Sequence, residues 1–249
     1  MSDKVWPIHI INLADNTARM ENVRHQLDAQ KLAFERVDAV NGWKLSDQEI
    51  SKVYDAARNA RRHKQDLVPA EIGCYLSHIE AWKRIAASVD PGGIVLEDDF
   101  AAEKDLRSVL EALCANRHQD WDIAKLFSIS SPARVTATEP LVGQYDIVVP
   151  YRVPSTTLGY AITREAAQHL LSHSIPFCRP IDEDHKFFWE HGLAISLVQP
   201  NPIHVGEQDT KTGTIGEARR SVDKTGRWRK LRYQLGYQMR LRWHRMRGR

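Results

Sequence analysis

The stretch Pro91-Gly92-Gly93-Ile94-Val95-Leu96-Glu97-Asp98-Asp99 decides the fold. Its turn residues and its three apolar residues predict a short buried strand, which ends directly in three acids. In open α/β sheets, ligands bind beyond the carboxyl ends of the strands, so we expect a binding site here. Adjacent carboxylates repel one another, and a hard cation such as Mg²⁺ or Mn²⁺ would relieve that repulsion and leave ligand positions for a diphosphate. An acidic turn that caps the next helix is the alternative.

Strands and helices alternate on both sides of this stretch. Apolar runs predict the strands, and apolar residues at helical spacing predict the helices between them. Strands are predicted at 5–13, 34–40, 94–96, 122–129, 157–162 and 193–198. Helices are predicted at 14–31, 46–63, 69–86, about 106–113, 164–172 and 182–191. This alternation indicates an α/β fold with a mainly parallel central sheet flanked by helices. Residues 130–155 show no clear period and are expected to be rich in loops.

The composition is that of a folded globular chain. It has 249 residues, of which 42% are hydrophobic and 27% charged, and its formal net charge is +3. No apolar run approaches the ~18 residues of a membrane span, and the first residues lack the apolar core of a signal peptide. Three cysteines without a CxxC pair argue against a disulfide framework and against a structural zinc site. We therefore expect a cytoplasmic protein.

Residues 226–249 differ from the rest of the chain. They carry nine Lys or Arg and no Asp or Glu, so we expect a globular domain over 1–225 and a basic tail over 226–249. Six apolar residues recur at helical spacing and predict one stripe on a basic amphipathic helix: Trp228, Leu231, Leu235, Met239, Trp243 and Met246. Such a helix suits an anionic membrane surface. Packing on the domain is the alternative, and nucleic-acid binding is the least favoured.

Other candidate residues lie near the ends of predicted elements. Asn12 ends the first strand, where a simple turn-forming role is the alternative. Ser77 and His78 lie on a polar stripe of the predicted helix. This stripe either lines a cleft, or His78 is simply a buried histidine whose ring nitrogens are hydrogen-bonded. The acids of residues 182–184 begin a predicted helix, where the helix dipole favours them. One of these carboxylates could instead act as a general base that takes a proton from an attacking hydroxyl.

Motifs of several enzyme classes are absent from the sequence. It contains no G-x-x-x-x-G-K-[ST], no G-x-G-x-x-G, no H-E-x-x-H and no G-x-S-x-G. These absences argue against P-loop ATPases, nicotinamide dehydrogenases, zincins and serine hydrolases.

The order of the motifs resembles glycosyltransferase family 25, the lipooligosaccharide or lipopolysaccharide core glycosyltransferases. The specific part is Glu71-Ile72-Gly73-Cys74-Tyr75-Leu76-Ser77-His78, followed by Leu96-Glu97-Asp98-Asp99. Further segments extend the resemblance over about residues 5–205. They are Ile10-Ile11-Asn12-Leu13 with Arg19, Asp38-Ala39-Val40-Asn41-Gly42, Trp121-Asp122 with Lys125-Leu126, Gly159-Tyr160-Ala161-Ile162 and Pro180-Ile181-Asp182.

The resemblance implies a GT-A type, Rossmann-like nucleotide-sugar fold. It also implies inverting transfer of a sugar, most often galactose, from a UDP-sugar to a hydroxyl of a lipid-linked bacterial saccharide. By motif match, the donor-side residues are Asn12, Arg19, Ser77, His78, Glu97, Asp98 and Asp99. Asp99 and Asp98 become the ligands of Mn²⁺ or Mg²⁺. His204 lies in a segment that matches the family poorly; it is a candidate third ligand, and a surface-loop histidine is the favoured alternative. Asp182 becomes the candidate catalytic base, with Asp184 as the alternative.

Two rival functions use the same features differently. A metal-dependent phosphoester hydrolase would use the same acids without a sugar acceptor. A non-catalytic lipopolysaccharide- or membrane-binding protein with a degenerate glycosyltransferase domain would depend on the tail instead. For the enzyme, the tail would bring the active site to a lipid-linked acceptor on the inner face of the inner membrane, where the protein would be peripheral.

Overall fold

A computed structural model describes residues 5–115, 121–130, 134–206 and 226–247. Its strands are β1 (Ile8–Asn12), β2 (Glu35–Asp38), β3 (Gly92–Glu97), β4 (Phe100–Ala102), β5 (Ile123–Lys125), β6 (Val135–Val142), β7 (Tyr145–Pro150), β8 (Gly159–Thr163), β9 (Ile195–Gln199) and β10 (Ile203–Val205). Its helices are α1 (Thr17–Ala29), α2 (Asp47–Val53), α3 (Ala56–Arg62), α4 (Pro69–Ala87), α5 (Leu106–Ala115), α6 (Arg164–His173), α7 (Ile181–Lys186), α8 (Phe188–His191) and α9 (Arg227–Arg247).

Eight strands form one central sheet in the order β2-β1-β3-β8-β5-β9-β7-β6. The pairs β1–β2, β1–β3 and β5–β9 are parallel. Strands β8 and β7 run against the others, because each pairs antiparallel with both of its neighbours. Strands β4 and β10 form a separate antiparallel pair. The predicted α/β fold, with a mostly parallel sheet flanked by helices as in a Rossmann-like GT-A domain, is confirmed.

Both faces of the sheet are buried. Along β1, Ile8 and Ile10 pack with α1 and α5 on one face, whereas Ile11 packs with α4 and α6 on the other. Strand β3 alternates in the same way, with Ile94 on the first face and Val95 on the second. The sequence of a strand that is covered on both faces is a nearly continuous apolar run, and polar residues follow where the strand ends.

Helix α4 is held against the loop after β2 by close backbone contacts. A Cβ on Gly42 would lie 1.7 Å from the carbonyl oxygen of Pro69, and one on Gly73 would lie 2.4 Å from that of Val40. Ser77 joins the same two segments, since its Oγ accepts from the Val40 N–H and donates to the Gly73 carbonyl. Only glycine fits at these two contacts, so the motif glycines set the position of α4.

Several predicted elements differ from the structure. The helix predicted over 182–191 is divided into α7 and α8, and the strand predicted over 122–129 is the shorter β5. The helix predicted over 46–63 is divided into α2 and α3, because Tyr54 pairs with Phe177 as a β-bridge and Asp55 caps α3 with a 2.7 Å bond from the Arg58 N–H. The segment 130–155, expected to be loops, contains the hairpin β6–β7. Most of β6 is exposed, so it has no apolar alternation that the sequence could show.

The predicted basic C-terminal helix is present as α9. It packs on the domain through Tyr237 and Leu241, which belong to the main core, and Arg229 donates to the His63 carbonyl at 3.0 Å. The six residues of the apolar stripe named above are all exposed, and Leu231 and Leu235 also border cavities that domain residues line. The division at 225/226 adjoins residues 207–225, which lie outside the described ranges, and it stays a prediction. Within the described ranges, no helix combines the length and apolar character needed to cross a membrane.

Candidate active site

Asn12 and Asp98 meet at the carboxyl edge of the sheet. Strands β1 and β3 are parallel neighbours, with Ile11 opposite Glu97, so both chains leave the sheet at the same level. The Asn12 Nδ2 donates to Asp98 Oδ2 at 2.6 Å. The Arg36 Nε donates to Asn12 Oδ1 at 2.9 Å, which fixes the orientation of the amide. Two residues predicted on the donor side are thus in direct contact.

Arg19 supplies part of the positive charge that the acidic triplet requires. Its Nη1 donates to Asp98 Oδ1 at 2.8 Å and lies 3.9 Å from Asp99 Oδ2. Both oxygens of Asp98 therefore accept hydrogen bonds within the protein, and this side chain is almost fully buried. The side chain of Asp99 is more exposed than that of Asp98.

The donor set at the triplet fits a hard divalent cation. Carboxylate oxygens are the ligands that Mg²⁺ and Mn²⁺ prefer, and Asp99 presents them at the rim of the sheet. Asp98 could join only through lone pairs that Arg19 and Asn12 leave unused. His204 contacts Glu103 instead, with 3.0 Å between Nε2 and Oε1, although its strand reaches Asp99 through a backbone bond from the Gly206 N–H. Metal ligation by these residues stays a prediction.

Glu97 turns to the opposite side, towards α4. Its Oε1 accepts from the Thr157 hydroxyl at 2.6 Å and lies 3.5 Å from His78 Nε2. Burial alone would raise the pKa of Glu97, but His78, Thr157 and Lys125 together lower it below its usual value. The His78 Nδ1 contacts the Tyr160 hydroxyl at 2.9 Å. His78 and Glu97, both predicted on the donor side, are therefore neighbours.

Lys125 lies buried at the end of β5 and connects the triplet to α7. Its ammonium donates to the Thr156 carbonyl. Burial lowers the pKa of Lys125 to about 7, against the attraction of Asp182 and Glu97. Asp182 is therefore close enough to share an electrostatic environment with the sheet edge.

Asp184 is held inside the protein, unlike Asp182. Arg179 donates to Asp184 Oδ1 at 2.9 Å through Nε, and the Tyr75 hydroxyl donates to Oδ2 at 2.7 Å. Burial would raise the pKa of Asp184, but Arg179, His191 and Tyr75 hold it far below its usual value. These contacts make Asp184 a poor proton acceptor, whereas Asp182 is half-buried. Ser77 is likewise occupied with backbone groups and does not reach the triplet.

A cavity of about 850 Å³ lies between this region and α9. Thr156, whose carbonyl binds Lys125, and Glu183, which follows Asp182, both line it. Four basic residues and one acid are among its described lining residues: Lys64, Arg152, Lys186 and Lys230, with Glu183. Leu231 and Leu235 of the exposed stripe form part of its rim. The cavity thus lies between the chain neighbours of Lys125 and Asp182 and the helix α9, and neither Asp182 nor the acidic triplet is among its described lining residues.

Sequence reasoning missed Arg36, Thr157 and the central position of Lys125. Lys125 was visible only as part of a motif, although a lysine at the end of an apolar strand is an unusual residue to bury. Thr157 lies two residues before the strand β8, which runs antiparallel to β3, so its place beside Glu97 follows from strand order. Arg36 lies on β2, the strand next to that of Asn12, and no pattern in the sequence around it indicates a contact with Asn12.

The known proteins that this chain resembles come from one family. The family model described as "Glycosyltransferase family 25 (LPS biosynthesis protein)" matches residues 5–184. A "Glycosyltransferase 25 family member" of Anopheles gambiae is 31% identical over 186 residues. The human "Inactive glycosyltransferase 25 family member 3" is 31% identical over 189 residues, and the human "Procollagen galactosyltransferase 2" is 28% identical over 184.

The matched region covers 71% of this chain but only 29–30% of these three relatives, so the chain spans less than a third of their length. The match of the family model over most of the chain includes Asn12, the α4 motif, the acidic triplet and Asp182. The chain therefore belongs to glycosyltransferase family 25.

Proposed function

We propose that this chain transfers a sugar, most simply galactose, from a UDP-sugar to a hydroxyl of a lipid-linked bacterial saccharide, with inversion at the anomeric carbon. The observation that carries the proposal is the meeting of Asn12, the acidic triplet, Lys125 and Asp182 at one edge of the sheet. The names of the relatives favour galactose, and the description of the family favours lipopolysaccharide as the acceptor class.

The donor side follows from the acids. A hard divalent cation held by Asp99 and Asp98 would supply the charge that offsets the developing diphosphate of the leaving group. Asn12 and Arg19 hold Asp98 in place, so the carboxylates are oriented before the donor binds. On the other side of the triplet, the Thr157 hydroxyl holds Glu97 by a hydrogen bond, and the His78 imidazole lies 3.5 Å from the same oxygen.

The acceptor side follows from α7 and the cavity. Asp182 takes the proton of the attacking hydroxyl, and a single displacement at the anomeric carbon then gives inversion. Lys125 and Asp182 attract each other across the pocket edge, which supports a shared role of the two side chains at the acceptor. The excess of basic residues around the cavity suits an acceptor that carries phosphate or carboxylate groups.

Helix α9 gives this acceptor a surface on which to lie. Its exposed apolar stripe is flanked by basic residues, which is the composition of a helix that lies in the interface of an anionic membrane. Because Leu231 and Leu235 form the rim of the cavity, a membrane at this face would present its lipid-linked saccharides directly to the cavity. We therefore place the enzyme on the cytoplasmic face of the inner membrane.

The test is UDP release from a panel of UDP-sugars, measured with and without Mn²⁺. We expect metal-dependent release from one donor, lost in Asp99→Ala and lowered roughly 10²- to 10⁴-fold in Asp182→Asn. Glu165→Gln, which changes an exposed acid on α6, is the matched control and should match the unsubstituted chain. If no UDP-sugar is turned over or bound, the donor assignment is wrong.

A non-catalytic membrane-binding protein is the second candidate. The word "inactive" in the name of the human relative favours it, and so does the fact that Arg19 already neutralises part of the triplet. It predicts vesicle binding without UDP-sugar turnover, so the same assay separates the two functions.

A further inference from the structure

Three side chains with different donor atoms converge where α4 passes the end of β3. Cys74 and His78 are one helical turn apart on α4, and Glu97 is the last residue of β3. One ligand atom from each residue, the thiol sulfur, an imidazole nitrogen and a carboxylate oxygen, lies within 4.8 Å of the other two. Such mutual distances allow a single ion to contact all three atoms.

In many metal sites, one ring nitrogen of the histidine binds the metal ion and the other is held by a hydrogen bond. His78 has this arrangement. Its ring is fully buried, and its Nδ1 is fixed by the Tyr160 hydroxyl at 2.9 Å. Its Nε2 makes no hydrogen bond within the described structure and points to Glu97 Oε1, 3.5 Å away. A buried nitrogen without a hydrogen bond costs about 1–3 kcal/mol. Coordination by a metal ion would satisfy it, while Tyr160 would hold the ring from behind.

The second carboxylate contact supports the same assignment. The Thr157 hydroxyl binds Glu97 Oε1 at 2.6 Å, which orients the carboxylate towards α4 and away from Asp98. Glu97 is therefore fixed between the Thr157 hydroxyl and the His78 imidazole, 3.5 Å from Nε2.

We propose that Cys74, His78 and Glu97 bind a Zn²⁺-type transition-metal ion, with the fourth position open to water or another ligand. A thiolate, an imidazole and a carboxylate are the ligands of zinc, whereas Mg²⁺ and Mn²⁺ prefer oxygen atoms alone. The site shares His78 and Glu97 with the predicted donor side but uses neither Asp98 nor Asp99, and the binding of the ion does not depend on sugar transfer. Binding displaces the thiol proton of Cys74, so affinity rises with pH.

The experiment uses the full chain, stripped of metal with a chelator and titrated with Co²⁺. We expect equimolar binding with thiolate-to-cobalt charge-transfer absorption in the near ultraviolet and d–d bands of tetrahedral intensity, both displaced by Zn²⁺. Cys74→Ser should abolish the charge-transfer band. Cys114→Ser is the matched control, because Cys114 lies on the other face of the sheet, and it should keep the band.

Tyr160→Phe tests the arrangement without removing a ligand. It removes the hydroxyl that fixes His78 Nδ1, so we expect Co²⁺ to bind roughly 10- to 100-fold more weakly. Near-ultraviolet circular dichroism establishes that each variant is folded. Asp99→Ala should leave the band unchanged. A band that survives Cys74→Ser, or Co²⁺ binding with only weak octahedral bands, would overturn the proposal, the latter because it indicates oxygen ligands such as those of the triplet.

Discussion

At the carboxyl edge of the sheet, charged side chains are buried and paired, whereas on the exposed face of α9 they are exposed to solvent. At the edge, Asp98 is buried and accepts hydrogen bonds from Asn12 and Arg19. On α9, basic residues flank apolar side chains that face solvent, and Trp228 is 83% and Met246 71% exposed. The edge pairs the charge of Asp98 within the chain, whereas the α9 face exposes apolar side chains that a folded protein normally covers.

This difference separates two kinds of functional surface. Charges that are paired and oriented before a ligand arrives cost no reorganisation when it binds, which suits chemistry at the edge. A contiguous exposed apolar stripe marks a surface that an external partner covers. Substitutions should therefore disturb folding and chemistry on the buried side, and only association on the α9 side.

The largest effect is expected at the buried charges behind the edge. Arg179 binds both Asp184 and Glu190, and its guanidinium lies 3.9 Å from the centre of the Phe187 ring. Arg179→Met removes the buried arginine that pairs with Asp184, while Glu190 keeps Arg62 and Arg240. We expect a loss of about 3–5 kcal/mol in the free energy of unfolding, because the buried Asp184 carboxylate then lacks its strongest partner. Urea denaturation measures it. Arg164→Met, at a partly exposed pair, should change stability by less than about 1 kcal/mol. Equal losses in both variants would contradict the expectation that the buried charge contributes more to stability than the exposed one.

Lys125 allows the same distinction to be tested by pH. Its pKa is about 7 in the folded protein and 10.5 in its ordinary state, so between these values the unfolded chain binds a proton that the folded chain does not. Stability should therefore rise with pH across this window, by an amount on the order of a few kcal/mol. In Lys125→Met this rise should be smaller.

The measurement is urea denaturation of both proteins at pH 7 and pH 9.5. Lys83→Met is the control, because Lys83 is exposed on α4 and pairs only with Glu80 among its described contacts. An identical pH slope in Lys125→Met and in the unsubstituted chain would contradict the assignment of the rise to Lys125.

A smaller effect is expected at Arg19. Arg19→Met removes one partner of Asp98 while Asn12 remains, so we expect a loss of about 1–3 kcal/mol. Because the triplet then lacks its internal cation, added Mn²⁺ should raise the melting temperature of this variant more than that of the unsubstituted chain. Arg24→Met, on an exposed face of α1, is the control. An equal response to Mn²⁺ in all three proteins would show that Arg19 does not compensate the charge of the triplet.

The sequence was sufficient for the framework of the site. Apolar runs that end in polar residues predict buried strands, and the carboxyl ends of parallel strands share one edge. Asn12 and Asp98 could therefore be placed on the same edge from local pattern alone. The helix α9 and its apolar stripe were visible for the same reason, because a helical period of 3.6 residues needs no tertiary information.

The remaining parts of the site depend on contacts that no local pattern encodes. Asp182 and Asp184 are equivalent in the sequence, and only the packing of Arg179 and Tyr75 separates them. The convergence of Cys74 with Glu97 requires the position of α4 over β3. The exposure of the apolar stripe also depends on packing. Tyr237 and Leu241, on another face of α9, pack against the domain, and the stripe therefore stays exposed.

The smallest effect on stability, with a large effect on association, is expected on α9. Replacing both tryptophans of the stripe, Trp228→Ser with Trp243→Ser, should change the free energy of unfolding by no more than about 0.5 kcal/mol, because both side chains are exposed. Co-sedimentation with vesicles of phosphatidylglycerol and phosphatidylethanolamine should fall roughly 10-fold or more, since each tryptophan contributes apolar burial in the membrane interface.

The matched control is Trp43→Ser, which removes a tryptophan that is 60% exposed elsewhere on the domain. It should bind these vesicles as the unsubstituted chain does. Vesicles of phosphatidylcholine alone should bind all three proteins weakly, because the basic residues of α9 then lose the anionic lipids that attract them. If the double variant keeps its vesicle binding, the exposed stripe is not the membrane-binding surface. The contrast between the edge and α9 would then not separate a catalytic surface from an association surface.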